Sequence, residues 1–128
     1  MFPSKRRIAV VDDEPSVSRA IKRLIRSAGM DVDTFSSGAE FLRALADRAP
    51  DCVVLDMHMP ELTGSDVQAR LAQLGSKVPV VIITGHDVPE ARARAMAAGA
   101  RAYLLKPVDD MLLLGAIADA VLPSQGPA

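Results

Sequence analysis

The sequence predicts an α/β domain in which five parallel strands form a doubly wound sheet and alternate with five helices. Three observations carry that prediction. Apolar runs of four to six residues recur along the chain: "IAVV" from Ile8, "CVVL" from Cys52, "VPVVII" from Val78 and "AYLL" from Ala102, with a weaker "DVDTF" from Asp31. Their hydrophobicity is continuous rather than alternating, which suits strands covered by helices on both faces. Between them lie segments with the apolar spacing of helices and with helix start and stop residues.

Taken in order, the first helix places Val17, Ala20, Ile21, Leu24, Ile25 and Ala28 on one face, with Pro15 in its first turn and Gly29 at its end. In the second, Ser37 and Glu40 form a capping-box pattern ahead of Phe41, Leu42, Leu45 and Ala46. The third runs from about Ser65 to Leu74 and offers Val67, Leu71 and Leu74. Asp87 and Glu90 repeat the capping signature around Pro89 for the fourth, which then runs through alanines to Gly99. With so little apolar bulk, it is expected to be the most loosely packed helix. The fifth, Asp109 to Leu122, carries Met111, Leu112, Leu114, Ile117, Ala118 and Val121. Right-handed crossovers put such helices on both faces of the sheet. Five strands fit the flavodoxin-like order 2-1-3-4-5, whose switch point lies between the first and third strands. Residues 1–122 read as one domain, and "PSQGPA", residues 123–128, as a linker-like tail expected to be disordered.

Composition narrows the function classes. The chain has 128 residues and a formal net charge of −1, from 15 basic and 16 acidic side chains. That balance points to neither direct nucleic-acid contact nor an anionic membrane surface. The apolar run near the N-terminus is too short and too quickly acidic for a signal peptide, and no 18-residue apolar segment follows. A soluble, cytoplasmic protein is the expectation. The single cysteine, Cys52, lies inside an apolar run and reads as a small core hydrophobe.

The switch-point rule gathers ligands at the carboxyl ends of the strands where the order reverses. There the first strand ends in Asp12 and Asp13 and the third in Asp56. Carboxylates so placed repel one another unless a cation joins them, and all-oxygen ligation suits Mg²⁺ completed by water and a phosphate oxygen. The plain alternative is that Asp12 and Asp13 cap the following helix. The fourth strand ends in Thr84, followed by Gly85 and His86, and the fifth in Lys106 before Pro107. A hydroxyl and an ammonium on the same rim could bind the oxygens of a phosphoryl group.

From Arg7 to Leu122 the sequence resembles a response-regulator receiver domain of two-component signalling, through "VVDDE", "VVLDMHMPELTG", "VVIITG" and "LLKP" in that order. The resemblance is closest to the FixJ-like branch, whose pattern "VITGHxDVP" is echoed by "IITGHDVPE". It implies that Asp56 is phosphorylated by a sensor histidine kinase. It makes Asp13 a direct Mg²⁺ ligand, Asp12 a carboxylate acting mainly through water, and the backbone carbonyl of His58 a further ligand. Thr84 becomes the switch hydroxyl, Lys106 its phosphoryl-pairing partner, Tyr103 the aromatic whose rotamer follows Thr84, and Lys106-Pro107 a cis peptide. The protein it implies is no conventional enzyme, catalysing only its own phosphorylation and dephosphorylation. Phosphorylation would alter the surface of the fourth helix, fifth strand and fifth helix, with a phosphorylation-dependent homodimer through the helix and strand.

The sequence also departs from that pattern. Where many receivers have "GADDYLTKPF", this chain has "GARAYLLKPV", so the acidic pair of the OmpR-like dimer face is absent and Arg92, Arg94 and Arg101 leave that side basic. The two histidines, His58 and His86, stand two residues beyond Asp56 and Thr84. Imidazole is a poor Mg²⁺ ligand; the hypothesis for these side chains is that they line the path of attacking water and tune the phosphorylated state's lifetime. Two other functions fit less well. A Mg²⁺-dependent phosphatase of the "DxDxT" type needs a second aspartate where this chain has "DMHMP". A nucleotide-binding module needs a glycine-rich loop where this chain has the acidic "DDEPSV". Two outputs remain: transcription regulation through a DNA-binding domain beyond this chain, or a single-domain regulator or phosphotransfer shuttle acting through protein contacts.

Overall fold

A computed structural model describes residues 5–122. Along the chain run β1 (Arg7–Val11), α1 (Pro15–Ser27), β2 (Asp31–Phe35), α2 (Gly38–Asp47) and β3 (Cys52–Asp56). They are followed by α3 (Gly64–Gln73), β4 (Val80–Thr84), α4 (Pro89–Ala97), β5 (Ala102–Leu105) and α5 (Asp110–Val121). All five strands are parallel, in the order β2-β1-β3-β4-β5. The expected flavodoxin-like fold is the one observed, and the "PSQGPA" tail lies outside the described residues.

The side-chain period of two along each strand divides the core between the faces of the sheet. Ala9, Val11, Val53, Leu55, Val80 and Ile82 pack toward a cluster holding Phe41, Val67, Leu71 and Ala95. Ile8, Val10, Cys52, Val54, Val81 and Ile83 pack toward Ile21, Ile25, Leu113 and Ile117. The central strands β3 and β4 are buried at every position, whereas the edge strand β2 buries none fully, which accounts for its weaker apolar signal. Cys52 is a core residue: burial pushes its thiol up to about 12, outweighing Arg101, which the fold brings near it.

Four sequence expectations need correction. In α1 the buried residues are Ser18, Ile21 and Ile25, while Ala20 and Ala28 are exposed. Ser18 is drawn inward because its hydroxyl donates to the Asp12 carbonyl at 3.3 Å. Helix α3 starts at Gly64, with a reciprocal capping box between Thr63 and Asp66, and ends before the exposed Leu74. Asp87 does not cap α4: Pro89 occupies the first turn and forces its predecessor, Val88, into the extended N-cap position, where no side chain closes the helix. In α5 the buried residues are Leu113, Ile117 and Ala120, while Met111 and Leu112 face outward at 76% and 63% exposure.

The expected looseness of α4 has a structural counterpart. Ala95 is its only buried residue, and the helix is tied down through its backbone, the Gln68 side chain of α3 donating to the Ala95 carbonyl at 3.1 Å. Elsewhere Ser37 caps α2 by accepting from the Glu40 N–H, and Asp109 caps α5 by accepting from Leu112. Among the described residues no helix is long and apolar enough to cross a membrane.

Candidate functional site

The reversal of strand order between β1 and β3 opens a crevice at the carboxyl end of the sheet, and the polar strand ends collect there. Asp56 closes β3 at 2% exposure, and Asp12, just past β1, is equally buried. Asp13 is exposed at the mouth. One carboxylate oxygen from each of Asp12, Asp13 and Asp56 lies within 4.8 Å of the others.

Lys106 reaches into this acidic cluster from the end of β5. Its Nζ lies 2.9 Å from Asp12 Oδ2, 3.3 Å from Glu14 Oε1 and 3.4 Å from Asp56 Oδ1. Burial lowers the lysine's pKa, but the side-chain contact with Asp12 and the charge of Asp56 outweigh it, so the ammonium is held above its ordinary range. Asp56 is also raised, chiefly by desolvation and then by the Asp12 charge, against the opposing pull of Lys106 and of the His58 N–H, which donates to Asp56 Oδ1 at 3.2 Å. One lysine therefore does not neutralise the cluster. Asp12 Oδ1 is engaged by the Glu14 N–H at 2.8 Å, while the buried Asp12 Oδ2 faces the Lys106 ammonium at 2.9 Å. Three carboxylate oxygen donors facing a single ammonium leave a surplus of negative charge, which fits a hard divalent cation such as Mg²⁺. The capping alternative fails: Glu14 is the N-cap of α1 and no side chain closes that helix, Asp12 accepting only from the Glu14 N–H in the turn before it.

Thr84 is fully buried, and its hydroxyl is committed to the next loop: Oγ1 accepts from the His86 N–H at 3.2 Å and donates to the His86 carbonyl at 3.3 Å. Tyr103 lies in the core with its hydroxyl unpartnered, and the Arg92 guanidinium stands 5.8 Å from its ring centre. Arg94 and Arg101 are exposed with Arg92, as a basic side requires. The imidazoles of His58 and His86 meet edge to face, with ring centres 4.9 Å apart. The Lys106-Pro107 peptide is cis.

Sequence reasoning missed two contributors to this site and gave a third only as a turn residue. Glu14 shares Lys106 with the aspartates, Gln68 anchors α4, and Gly64 lets α3 begin directly behind Asp56. Gly64 was legible, with Met59 and Pro60, as part of the turn into the third helix; its close approach to the Asp56 backbone was not.

Residues 8–118 match the family described as response regulator receiver domain. The response regulator protein TmoT of Ectopseudomonas mendocina is 44% identical over 115 residues, spanning 89% of this chain and 52% of that protein. Nodulation protein W of Bradyrhizobium diazoefficiens is 40% identical over 114 residues, spanning 88% and 50%. The chain thus covers about half the length of these curated relatives. A response regulator receiver protein from Burkholderia phymatum has a solved structure with a TM-score of 0.80 to this one and 49% identity, over 91% of this chain and 95% of that one. With the strand order and acidic crevice already described, these similarities establish that the chain belongs to the response regulator receiver domain family of two-component signalling.

Proposed function

We propose that Asp56 accepts a phosphoryl group from a phosphohistidine of a sensor histidine kinase, and that the acyl phosphate so formed changes the surface built by α4, β5 and α5. Family membership implies the kinase partner and an acidic pocket that binds Mg²⁺. The observation that carries the reading is a buried carboxylate at the switch point, Asp56, facing both a lysine and two further aspartates.

In the transfer, an oxygen of the Asp56 carboxylate attacks phosphorus. The new O–P bond forms as the N–P bond of the phosphohistidine breaks, and its electron pair returns to the imidazole, which takes up a proton. Positioning and charge neutralisation suffice for such a reaction. Lys106 supplies one movable positive charge beside the acceptor oxygen. Mg²⁺, when bound, neutralises charge on the transferring oxygens; Asp12, Asp13, Asp56 and the His58 carbonyl would hold it. Thr84 then exchanges its bonds to His86 for a phosphoryl oxygen, and Tyr103 with its Arg92 neighbour follows, shifting the weakly anchored α4. His58 and His86 border the route of hydrolytic water and set the lifetime of the product. Unchanged hydrolysis rates after replacing each with alanine would remove that role.

The output is transcription regulation through a DNA-binding domain in a longer protein. The coverage of its relatives supports this, and so does a 38% identical transcriptional regulatory protein, PrrA of Mycobacterium tuberculosis. Exposed Val88, Met96 and Leu105 suit a phosphorylation-dependent homodimer through α4 and β5. Residues 1–122 act as the receiver unit in the cytoplasm and make no nucleic-acid contact of their own. Incubation with acetyl phosphate and Mg²⁺ tests the reaction: the wild type is labelled, Asp56→Asn is not, and equal labelling of the two refutes the assignment.

A further inference from the structure

The chain's two histidines, proposed above to border the route of hydrolytic water, also pair with each other at the rim of the acidic crevice. Their rings are exposed, belong to different loops and touch, with centres 4.9 Å apart and planes 81° apart. We propose that His58 and His86 form a second cation site, one for a borderline transition ion such as Zn²⁺, and that its occupation holds the unphosphorylated form.

Spacing supports the first half. An ion bound about 2.1 Å from one nitrogen of each ring in tetrahedral geometry places the ring centres roughly 5 Å apart. The observed separation of ring centres, 4.9 Å, is close to that value. The backbone beneath them is fixed. His58 N–H donates to Asp56 Oδ1 at 3.2 Å and His86 N–H to Thr84 Oγ1 at 3.2 Å, so each imidazole is carried on a peptide anchored by a residue of the acidic crevice. Donor chemistry separates this site from its neighbour, since imidazole selects Zn²⁺ over Mg²⁺ while the three aspartates offer only hard oxygens. The chain's one thiol does not compete, because Cys52 is fully buried.

The second half follows from Thr84 and rests on the phosphorylation reading above. The same hydroxyl that must turn to the phosphoryl group holds His86 in place through two hydrogen bonds. Release of those bonds frees the loop that presents His86 and disperses the pair. An ion binding the pair thus favours the state with Thr84 turned to His86, and by linkage phosphorylation weakens the ion as much as the ion opposes phosphorylation.

Calorimetric titration of tag-free protein with Zn²⁺ in excess Mg²⁺ tests the site. The expected result is one ion per chain at micromolar affinity, weakened at least tenfold in His58→Ala and in His86→Ala. Unchanged affinity in either variant, or no binding in the wild type, overturns it. The coupling is read by acetyl phosphate labelling with and without saturating Zn²⁺. Slower labelling of the wild type, absent in the double variant, is expected; equal rates in the wild type overturn the coupling. Labelling without Zn²⁺ is the separate control, since its loss in the wild type would count against the phosphorylation reading and not against the histidine site.

Discussion

Gly64 carries the most demanding packing prediction, because a single methyl group there meets the acceptor's own backbone. A Cβ at this position would stand 2.8 Å from the Asp56 carbonyl oxygen, 2.8 Å from Met57 Cα and 3.1 Å from Met57 Sδ. Ordinary contact begins at 3.4 Å, so the backbone atoms must retreat by 0.6 Å. They have little freedom to do so: β3 is buried throughout and Met57 N–H is bonded to the Ile83 carbonyl at 2.9 Å. Overpacking of this kind costs about 1–3 kcal/mol. At roughly 3–5 °C per kcal/mol for a domain of this size, Gly64→Ala should melt about 3–15 °C below the wild type. It should also be labelled more slowly by acetyl phosphate, since the displaced atoms carry Asp56. Gly115→Ala provides the internal contrast. It adds the same methyl to an exposed helical position with nothing within 4 Å, and should gain about 0.5–1 kcal/mol. Thermal denaturation of the two variants should give shifts of opposite sign. A neutral or stabilising Gly64→Ala would refute the close approach of α3 to the acceptor.

Asp56 supplies a pH prediction whose sign is fixed by its environment. Its folded pKa is raised, so the folded state holds the proton more tightly than the unfolded chain, and ionisation weighs against folding once pH rises past the unfolded value of about 3.9. In chelator-treated protein Asp56→Asn should therefore be more stable than the wild type at neutral pH, with the advantage fading as pH falls to about 4. Urea midpoints across that range check it, and an advantage that grows on acidification would contradict it. The packing of α5 is tested by Leu113→Ala, expected to cost about 2–5 kcal/mol, against Leu112→Ala, expected to change stability by less than about 0.5 kcal/mol. Equal losses in urea denaturation would show that the inner face of α5 is misplaced.

Much of this architecture was legible in the sequence because burial on both faces writes itself as continuous apolar runs, and β3 and β4 are buried throughout. The candidate site was legible for a related reason: Asp12, Asp56, Thr84 and Lys106 each follow or end such a run, so the strand order alone brings them to one rim. Helix faces were harder. In α5 apolar residues occur all round, and periodicity cannot choose between Leu112 and Leu113; only the cluster that Leu113 joins with Ile83 and other strand residues does. At α4 the capping signature of Asp87 and Glu90 lost to the backbone restriction imposed by Pro89. Glu14 and Lys106 are 92 residues apart and Gln68 and Ala95 are 27 apart, so no local pattern could announce either pair.

The central claim concerns one oxygen-bearing side chain, and reduction of the phosphorylated protein addresses it directly. Borohydride converts an aspartyl phosphate to homoserine, which peptide mass spectrometry locates by residue. After acetyl phosphate and Mg²⁺ treatment, homoserine at position 56 alone is the predicted result. Homoserine at Asp12 or Asp13, or at no aspartate, would contradict the assignment of Asp56 as the acceptor.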